Sequence, residues 1–522
     1  MTRHQRLLRA GVTTAALALL AGCTLGPSQR PDLATYGTGP TSAPTTATGT
    51  GTALGPGGPG QSADAISWRR CPEVQNTDPT TGQRFEVDCA SVITDGSAVG
   101  STGRRTIEVA RARAAGVAQD APVLVVLDGQ PGQHGRGDVA AVAAALSQAV
   151  RQHFAVVTVD LAGSGEADPI DCLSRFDLGG LSSLGADPTE ATSAQALAEV
   201  TRSITFECTD VGGPDLPLVN STEAADDLDH LRDALGTERL TVLGRGNGAT
   251  LAAVYADRYP GRVQAAVLDA PANPLDAADV RAKAVAVAFE KALDNFAAAC
   301  PTFAGGCPLG SDPRATIVDT VDRLDGSTTP GNGRATGGSL LLALQLRLGD
   351  PAGWPELAAT AAAAAHGDTT ALMTLLGDAL GLTDKQPWVN PALIYACNDT
   401  VVRLTPDQLA AAVQDVRPQA PLFGPFTLGL LGLCGSWPAP EIALGGVKAN
   451  GAPPILVLGA VDDPVAPYQS VRALAGQLSS ATLVSWQSGR HGSYPSSTCA
   501  ATAVEGYLLR GQLPAVGTLC PP

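Results

Sequence analysis

The stretch Leu243-Gly244-Arg245-Gly246-Asn247-Gly248 decides the fold of this 522-residue chain. It joins an apolar run, residues 239–243, to an alanine-rich run that predicts a helix. A strand, a sharp turn and a helix form the setting in which the pattern Gly-x-Ser-x-Gly exposes a nucleophilic serine. Gly244 and Gly248 supply the outer glycines of that pattern, whereas Gly246 stands in place of the serine. The sequence therefore predicts the turn without the hydroxyl that covalent chemistry would need.

Continuous aliphatic runs bounded by turn residues are typical of strands buried on both faces of a parallel sheet. Such runs span residues 121–127, 154–159, 239–243 and 263–268, and they resume at 454–458 and 481–486. A helix that begins near Ser221-Thr222-Glu223 connects the second run to the third. From about Leu275 to Ile442 alanine-rich helical stretches such as 277–299 and 354–365 replace the strands. We predict an α/β fold, a mostly parallel sheet with a helical cap inserted before the last strands.

The N-terminus predicts export. Three arginines precede the apolar stretch Ala10 to Leu20, which is too short to span a membrane as a mature helix. Its end, Leu20-Ala21-Gly22-Cys23, is similar to a bacterial lipobox, in which Cys23 carries the lipid. The alternative is an ordinary secretory signal followed by an unrelated cysteine. We expect an exported protein, lipid-anchored to the outer face of the cell membrane within the cell envelope.

Composition and these patterns divide the chain into five segments. Residues 1–22 form the signal peptide, and residues 23–65, rich in Thr, Gly, Pro, Ala and Ser, form the lipid anchor and a flexible linker. The sheet-forming core is expected over 66–274 and again over 443–522, and the helical cap over 275–442.

Eleven cysteines are present, and setting aside Cys23 leaves an even number. Connectivity does not follow from sequence, but short loops favour pairing between neighbours. The neighbouring pairs are Cys71–Cys89, Cys172–Cys208, Cys300–Cys307, Cys397–Cys434 and Cys499–Cys520.

The net charge of −16 at pH 7 argues against nucleic acid as a partner, because an acidic surface repels phosphate backbones. No Cys-x-x-Cys spacing supports a zinc or thioredoxin-like site. We expect a monomer with no metal and no cofactor.

Two polar motifs follow the resumed strands. Asp463 lies in Gly459-Ala460-Val461-Asp462-Asp463-Pro464-Val465-Ala466-Pro467, and His491 lies in Gly489-Arg490-His491-Gly492. The chain order of elbow, acid and histidine is that of the catalytic triad of α/β-hydrolases, with each residue on a loop at one end of the sheet. The nucleophile alone is missing from this order.

From Ile66 to Cys520 the chain resembles the actinobacterial tripeptidyl-aminopeptidase-like family of secreted α/β-hydrolases, itself similar to prolyl aminopeptidases. The segments that carry the resemblance are Trp68 to Cys71, Gly129-Gln130-Pro131-Gly132, Asp160-Leu161-Ala162-Gly163-Ser164-Gly165, Cys397-Asn398-Asp399, Trp437-Pro438 and Asp463 to Pro467.

This resemblance implies that Gly246 occupies the nucleophile position, that Asp463 is the acid and that His491 is the base. It also implies an oxyanion hole made of the backbone amides of Asn247 and Gln130. The chain departs from the family pattern around this site, at Gly246, Gln130, Leu161-Ala162 and Ala466. Release of amino acids or short peptides from peptide N-termini is the activity that the resemblance implies, and these departures put it in doubt.

Each site residue also has a plainer interpretation. Asp463 could cap the helix near Tyr468, with Asp462 or Asp269 as the acid instead, and His491 could be structural. His134, close in sequence to the loop 129–132 that contains Gln130, is interpreted as a polar loop residue. Ser164 is interpreted as a turn residue.

Gly244, Gly246 and Ala249 also satisfy the dinucleotide-binding pattern Gly-x-Gly-x-x-Ala, with Asp269 at the end of the next strand. That pattern leaves the motifs of Asp463 and His491 unexplained. We therefore expect a protein in which hydrolysis is lost or greatly reduced and which is retained for binding a peptide or other small ligand. The alternative is an active peptidase or esterase that uses water or a noncanonical nucleophile.

Overall fold

The structure, a computed structural model, describes residues 66–95, 104–382, 387–440 and 444–522. The predicted signal peptide, Cys23 and the linker lie outside the described residues. Within those ranges no helix is both long and apolar enough to cross a membrane.

The described strands form a single sheet in which the central strands are parallel. Their order across the sheet is β1-β2-β3-β5-β4-β6-β7-β8-β9-β10, and only the pairings of β1 with β2, β2 with β3 and β3 with β5 are antiparallel. The strands are β1 (Arg69–Arg70), β2 (Glu86–Asp95), β3 (Arg104–Arg113), β4 (Val123–Asp128), β5 (Ala155–Asp160), β6 (Leu240–Arg245), β7 (Val263–Asp269), β8 (Ile455–Ala460), β9 (Ala481–Trp486) and β10 (Leu519–Cys520).

Helices cover both faces of this sheet and form a layer of their own between β7 and β8. They are α1 (Val139–Ala145), α2 (Gln148–His153), α3 (Arg175–Ser182), α4 (Ala191–Gly212), α5 (Ser221–Ala234), α6 (Asn247–Arg258), α7 (Ala278–Ala299), α8 (Pro313–Ser327), α9 (Gly337–Arg347), α10 (Trp354–Ala365), α11 (Thr370–Ala379), α12 (Val389–Asn398), α13 (Pro406–Val416), α14 (Phe423–Gly432), α15 (Tyr468–Gln477) and α16 (Thr498–Arg510).

The predicted fold class is confirmed, since a mostly parallel sheet has helices on both faces and a helical layer inserted before its last strands. All six predicted strands are present as β4 to β9. β2 and β3 were not predicted, because their charged residues interrupt the continuous apolar runs on which the strand prediction depended. Asn220, which was not predicted as a cap, begins α5 by accepting hydrogen bonds from the amides of Thr222 and Glu223 at 2.9 and 3.0 Å.

Successive residues of the central strands pack into different layers. Val125 and Val157 belong to the apolar cluster that includes α5, α6 and the cap, whereas Leu124, Val126 and Val156 belong to a second cluster with α1, α2 and α16. This alternation explains the continuous apolar runs, because both faces of each strand are buried. The rigid sheet positions the loops that follow β4, β6, β7, β8 and β9.

Helices α7 to α14 of the helical layer also pack against a second segment of the chain, which contains α3 and α4. α3 and α4, between β5 and β6, belong by sequence to the predicted core. The Ser339 hydroxyl donates to the carbonyl of Ser182 at 2.7 Å, and the Thr336 hydroxyl donates to that of Leu184 at 2.6 Å. The N-terminus of α9 is therefore fixed to the end of α3 and the loop that follows it.

Five disulfides join the neighbouring cysteine pairs named from sequence, with Cα–Cα separations from 4.7 to 5.6 Å. Cys71–Cys89 and Cys499–Cys520 fasten the two edges of the sheet, and the other three lie among the helices that follow β5 and β7. Disulfides at this density are typical of exported proteins.

Candidate active site

The turn between β6 and α6 has the geometry of a nucleophile elbow. Gly246 has φ 57° and ψ −124°, a conformation that glycine tolerates and that strains any residue with a side chain. Its amide donates to the carbonyl of Asp269 at 2.9 Å. A Cβ atom built on Gly246 would lie 3.5 Å from Nε2 of His491 and 4.0 Å from the Cα of Gly129, which are ordinary contacts. The turn therefore has room for a side chain directed at His491.

The outer glycines serve close backbone packing. A Cβ on Gly248 would fall less than 3.0 Å from the carbonyl oxygen of Leu127, and one on Gly244 would fall equally close to the carbonyl oxygen of Gly248. α6 can therefore begin directly against β4 and β6 only if both positions lack a side chain.

The carboxylate of Asp463 and the imidazole of His491 are hydrogen-bonded to each other, as an acid and a base of a catalytic triad would be. Nδ1 of His491 lies 2.9 Å from Oδ2 and 3.1 Å from Oδ1 of Asp463, whose side chain is fully buried. The same carboxylate accepts hydrogen bonds from the amides of Val465 and Ala466 at 2.9 and 3.0 Å. Since α15 begins only at Tyr468, Asp463 shapes the preceding turn and does not cap that helix.

The alternative acids are engaged elsewhere. Asp462 forms an ion pair with Lys291 through Oδ1. Asp269 is buried, and its carboxylate accepts hydrogen bonds from the amides of Ser493 at 2.9 Å and Tyr494 at 2.8 Å. Burial raises the pKa of Asp269 to about 6 against the lowering effect of these two amides. The backbone carbonyl of Asp269 thus holds the elbow at Gly246. Its carboxylate holds the loop that carries His491, Ser493 and Tyr494, which we call the histidine loop.

The surroundings of His491 favour its protonated form. Burial lowers the pKa of the imidazole, but the charge and the hydrogen bond of Asp463, together with the charges of Asp269 and Asp128, raise it by more, so that the pKa of His491 is raised overall. The backbone amide of His491 donates to the carbonyl of Gly349 at 2.8 Å, which ties the loop to the cap. The side chain remains 31% exposed.

The two residues expected to form the oxyanion hole lie together, but one amide is already in use. The side-chain amide of Asn247 donates to Oε1 of Gln130. The backbone amide of Gln130 donates to Oε1 of Gln133 at 3.1 Å, whereas that of Asn247 is at the first position of α6, where helical amides lack an intrahelical acceptor. Sequence reasoning missed Gln133, although a glutamine three residues after a turn position is a known signal for such a backbone contact.

A cavity of about 610 Å³ opens beside the elbow, between the sheet and the cap. Gln130, Asn247 and His134 line it, whereas Gly246, Asp463 and His491 do not. Its other polar lining residues come from the end of β4, the starts of α5 and α7, the first turns of α6, and α12 with the loop after it, namely Asp128, Ser221, Thr250, Asp276, Arg281, Tyr395, Asp399 and Thr400. The volume is that of a site for a small ligand.

Hydrogen bonds occupy three of the hydroxyl groups that line this cavity. Ser221 donates to Asp399 at 2.7 Å, Thr250 to the carbonyl of Ala272 at 3.3 Å, and Tyr395 to the carbonyl of Ala162 at 3.4 Å. Burial raises the pKa of Asp399, while its hydrogen bonds from Ser221 lower it. None of these hydroxyls contacts an imidazole that would activate it.

The other residues considered from the sequence make contacts that indicate a structural role. The Ser164 hydroxyl donates to the carbonyl of Leu161 at 2.7 Å within a turn, as expected. Nδ1 of His134 lies 3.7 Å from Asp138, whose hydrogen bond raises the pKa of this exposed histidine. Asn398 donates to the carbonyls of Leu216 and Val219, so the segment Cys397-Asn398-Asp399 joins the cap to the loop before α5.

The described part of the chain holds no group of three or more His, Cys, Asp or Glu residues arranged to bind a metal ion. The dinucleotide pattern also lacks its acidic partner, because the backbone amides of Ser493 and Tyr494 hold both carboxylate oxygens of the buried Asp269. That carboxylate is not free to accept a hydrogen bond from a ribose, so the dinucleotide interpretation is not supported.

Over most of its length the chain is similar to proteins named as hydrolases. A family model described as TAP-like protein matches residues 420–520. Serine protease Hip1 of Mycobacterium tuberculosis (strain ATCC 25618 / H37Rv) is 28% identical over 429 residues, which cover 76% of this chain and 80% of that protein. Tripeptidyl aminopeptidase of Streptomyces lividans is 25% identical over 382 residues, which cover 70% of each protein. Among solved structures, proline iminopeptidase of Mycobacterium smegmatis aligns over 80% of this chain and 98% of its own at 14% identity, with a TM-score of 0.37.

Proposed function

Because the chain belongs to the tripeptidyl-aminopeptidase-like family of α/β-hydrolases, we propose that it is a binding protein derived from a serine peptidase. Its ligand is a peptide or a related small molecule, and its covalent hydrolysis is lost or greatly reduced. The observation that carries this proposal is Gly246 in the strained elbow conformation, with the pair Asp463–His491 still directed at it.

Acyl transfer in this family requires an oxygen nucleophile at the elbow. Gly246 has no side-chain atom, so no acyl-enzyme forms at this position. The cavity hydroxyls of Ser221, Thr250 and Tyr395 are bound to other groups and do not replace it. The amide of Asn247 and the imidazole of His491 remain as hydrogen-bonding groups for a ligand carbonyl or amide.

A second candidate function is slow hydrolysis in which His491 activates a water molecule. The observation that favours it is the 2.9 Å contact between His491 and the buried Asp463, which orients the imidazole as a general base. The amide of Gln130 does not stabilise the transition state in this arrangement, because Gln133 occupies it. Any such activity would disappear in His491→Ala.

We further propose that the protein is held in the cell envelope by a lipid on Cys23, with the Thr-, Gly- and Pro-rich segment up to residue 65 joining the anchor to the core. The lipobox-like sequence supports the anchor, and the five disulfides support export. Ligand would then be bound outside the membrane, and the folded part acts as a monomer without nucleic acid.

The test compares the melting temperature of the purified protein with short peptides, with NAD(P) and without additive. A ligand that binds only the folded state raises the melting temperature as its concentration exceeds its Kd. We expect short peptides to raise it and NAD(P) to leave it unchanged. Stabilisation by NAD(P) and not by peptides would reject the proposal.

A further inference from the structure

Arg281 differs from the other arginines of the described chain. It lies in the first turns of α7, lines the cavity and is partly buried. Its side chain makes no hydrogen bond or ion pair with any described residue, whereas every other arginine of the described ranges that is not exposed does so. Arg245 beside the same cavity, for example, is paired with Asp128.

A partly buried guanidinium without a partner is costly, because it has lost water without gaining hydrogen bonds. The pKa of Arg281 is lowered, chiefly by burial and against the raising effect of Asp276 and Asp399. These two carboxylates lie in the same cavity but form no ion pair with Arg281, so they do not satisfy its five N–H donors.

Both carboxylates already accept hydrogen bonds from other groups. Asp399 accepts from the amide and the hydroxyl of Ser221 at 2.9 and 2.7 Å. Asp276 accepts from the side chains of Asn273 and Ser470 at 2.8 and 2.6 Å. The donors of Arg281 are therefore the charged groups of the cavity that remain open to a ligand.

The surroundings of Arg281 add two features that suit an anionic, amphipathic ligand. The N-terminal end of the 22-residue helix α7 lines the cavity through Ala277 and Ala278, and no side chain caps it. Leu275 and Val401, which line the cavity, are 62% and 47% exposed. An apolar group at the rim and an anion at Arg281 would both be accommodated.

We propose that the ligand of this cavity carries a carboxylate, which Arg281 binds through paired hydrogen bonds. The planar guanidinium matches a carboxylate in geometry. A carboxylate with one negative charge fits better than a phosphate, because Asp276 and Asp399 would repel a second charge. This inference deepens the proposed function and rests on it. Among peptides it selects those with a free carboxylate.

The experiment measures binding by calorimetry at fixed ionic strength to the disulfide-bonded protein. One matched pair of probes is trialanine and trialanine amide, and the other is hexanoate and hexanamide. The acids should bind about 10- to 100-fold more tightly than the amides, as expected for hydrogen bonds between charged groups. Arg281→Gln should remove this preference, and Arg281→Lys should retain part of it.

The control variant is Arg334→Gln, which removes a charge from an exposed arginine outside the cavity and should change nothing. Equal binding of acids and amides by the unmodified protein would overturn the role of Arg281 and leave peptide binding intact. Binding of hexanoate that depends on Arg281, with no binding of either tripeptide, would support Arg281 and reject the proposed function. Absence of binding by all four probes would overturn both.

Discussion

At the scale of single residues, the account depends on what a side chain at position 246 would do. Gly246→Ser places Cβ about 3.5 Å from Nε2 of His491, so that the hydroxyl comes within hydrogen-bonding reach. We expect hydrolysis of aminoacyl or peptidyl arylamides, or of simple esters, to appear. Because loss of a triad member costs on the order of 10⁴- to 10⁶-fold, even partial repair would exceed the background in a steady-state assay.

Two variants control this repair. Gly246→Ser combined with His491→Ala must lose the gain, because no base then activates the hydroxyl. Gly246→Ala carries the Cβ without the oxygen and should stay inactive. Both Gly246→Ser and Gly246→Ala should lose about 1–3 kcal/mol of stability in denaturant unfolding, since φ at this turn is 57°. A folded but inactive Gly246→Ser would reassign Asp463 and His491 as structural residues.

The side chain of Gln133 should limit the kcat of the Gly246→Ser variant. In the Gly246→Ser background, Gln133→Ala frees the amide of Gln130, and we expect kcat to rise by about 10-fold or more, since one oxyanion donor is commonly worth more than that. KM should change little, because the gain is made in the transition state. A lower kcat would mean that Gln133 supports the loop and does not block it.

The pKa of His491 predicts the pH dependence of the repaired enzyme. The base must be neutral to accept a proton, and Asp463 raises the pKa of His491 above its usual 6.5. Activity should therefore fall towards acidic pH, and the midpoint of its rise in a profile of kcat/KM should lie above pH 6.5. Asp463→Asn should lower the midpoint of this rise as well as the rate. A rise centred below pH 6.5 would contradict the assignment.

At this scale the sequence revealed the residues that belong to local motifs. Gly246, Asp463 and His491 follow strand ends, and the order of such loops is recognisable without a structure. Gln133 and Arg281 were not recognised, because their importance depends on which groups lack or find a partner after folding. That information is absent from any local pattern.

At the scale of elements, the start of α6 depends on the absence of a side chain at position 248. Gly248→Ala would push a methyl group into the carbonyl of Leu127, which belongs to β4 and cannot move freely. We expect a loss of about 2–4 kcal/mol in urea unfolding, in the range of overpacking and backbone clashes. Gly261→Ala, where the structure leaves open space, is the matched control and should change stability by less than about 0.5 kcal/mol. Equal effects of both substitutions would contradict the close packing.

Whether a strand can be predicted from the sequence depends on how completely it is buried. Strands buried on both faces, such as β4 and β5, were evident as continuous aliphatic runs. β3, with the sequence RRTIEVARAR, places charged residues between its apolar ones and lies towards the edge of the sheet, so its pattern was overlooked. α3 is not assigned to the cap from the sequence, because the hydrogen bonds that join its end and the loop after it to α9 link residues about 150 positions apart.

At the scale of the whole molecule, the disulfides and the cap hold the candidate site in place. The histidine loop is bonded to Gly349 in the cap and to Asp269 in the sheet. Cys397–Cys434 fastens the end of α12, which lines the cavity through Tyr395 and Asp399. A glycine at the elbow is therefore compatible with a cavity between the sheet and the cap, which the proposed binding function requires.

The central claim is that the elbow no longer supports covalent catalysis, and the most direct measurement is the intact mass of the protein after treatment with a fluorophosphonate. We predict no adduct on the unmodified chain, because no activated serine is present. Gly246→Ser should gain one adduct, and this adduct should be absent when His491→Ala is added. A stoichiometric adduct on the unmodified chain, mapped to any serine, would contradict the claim and show an active hydrolase with a different nucleophile.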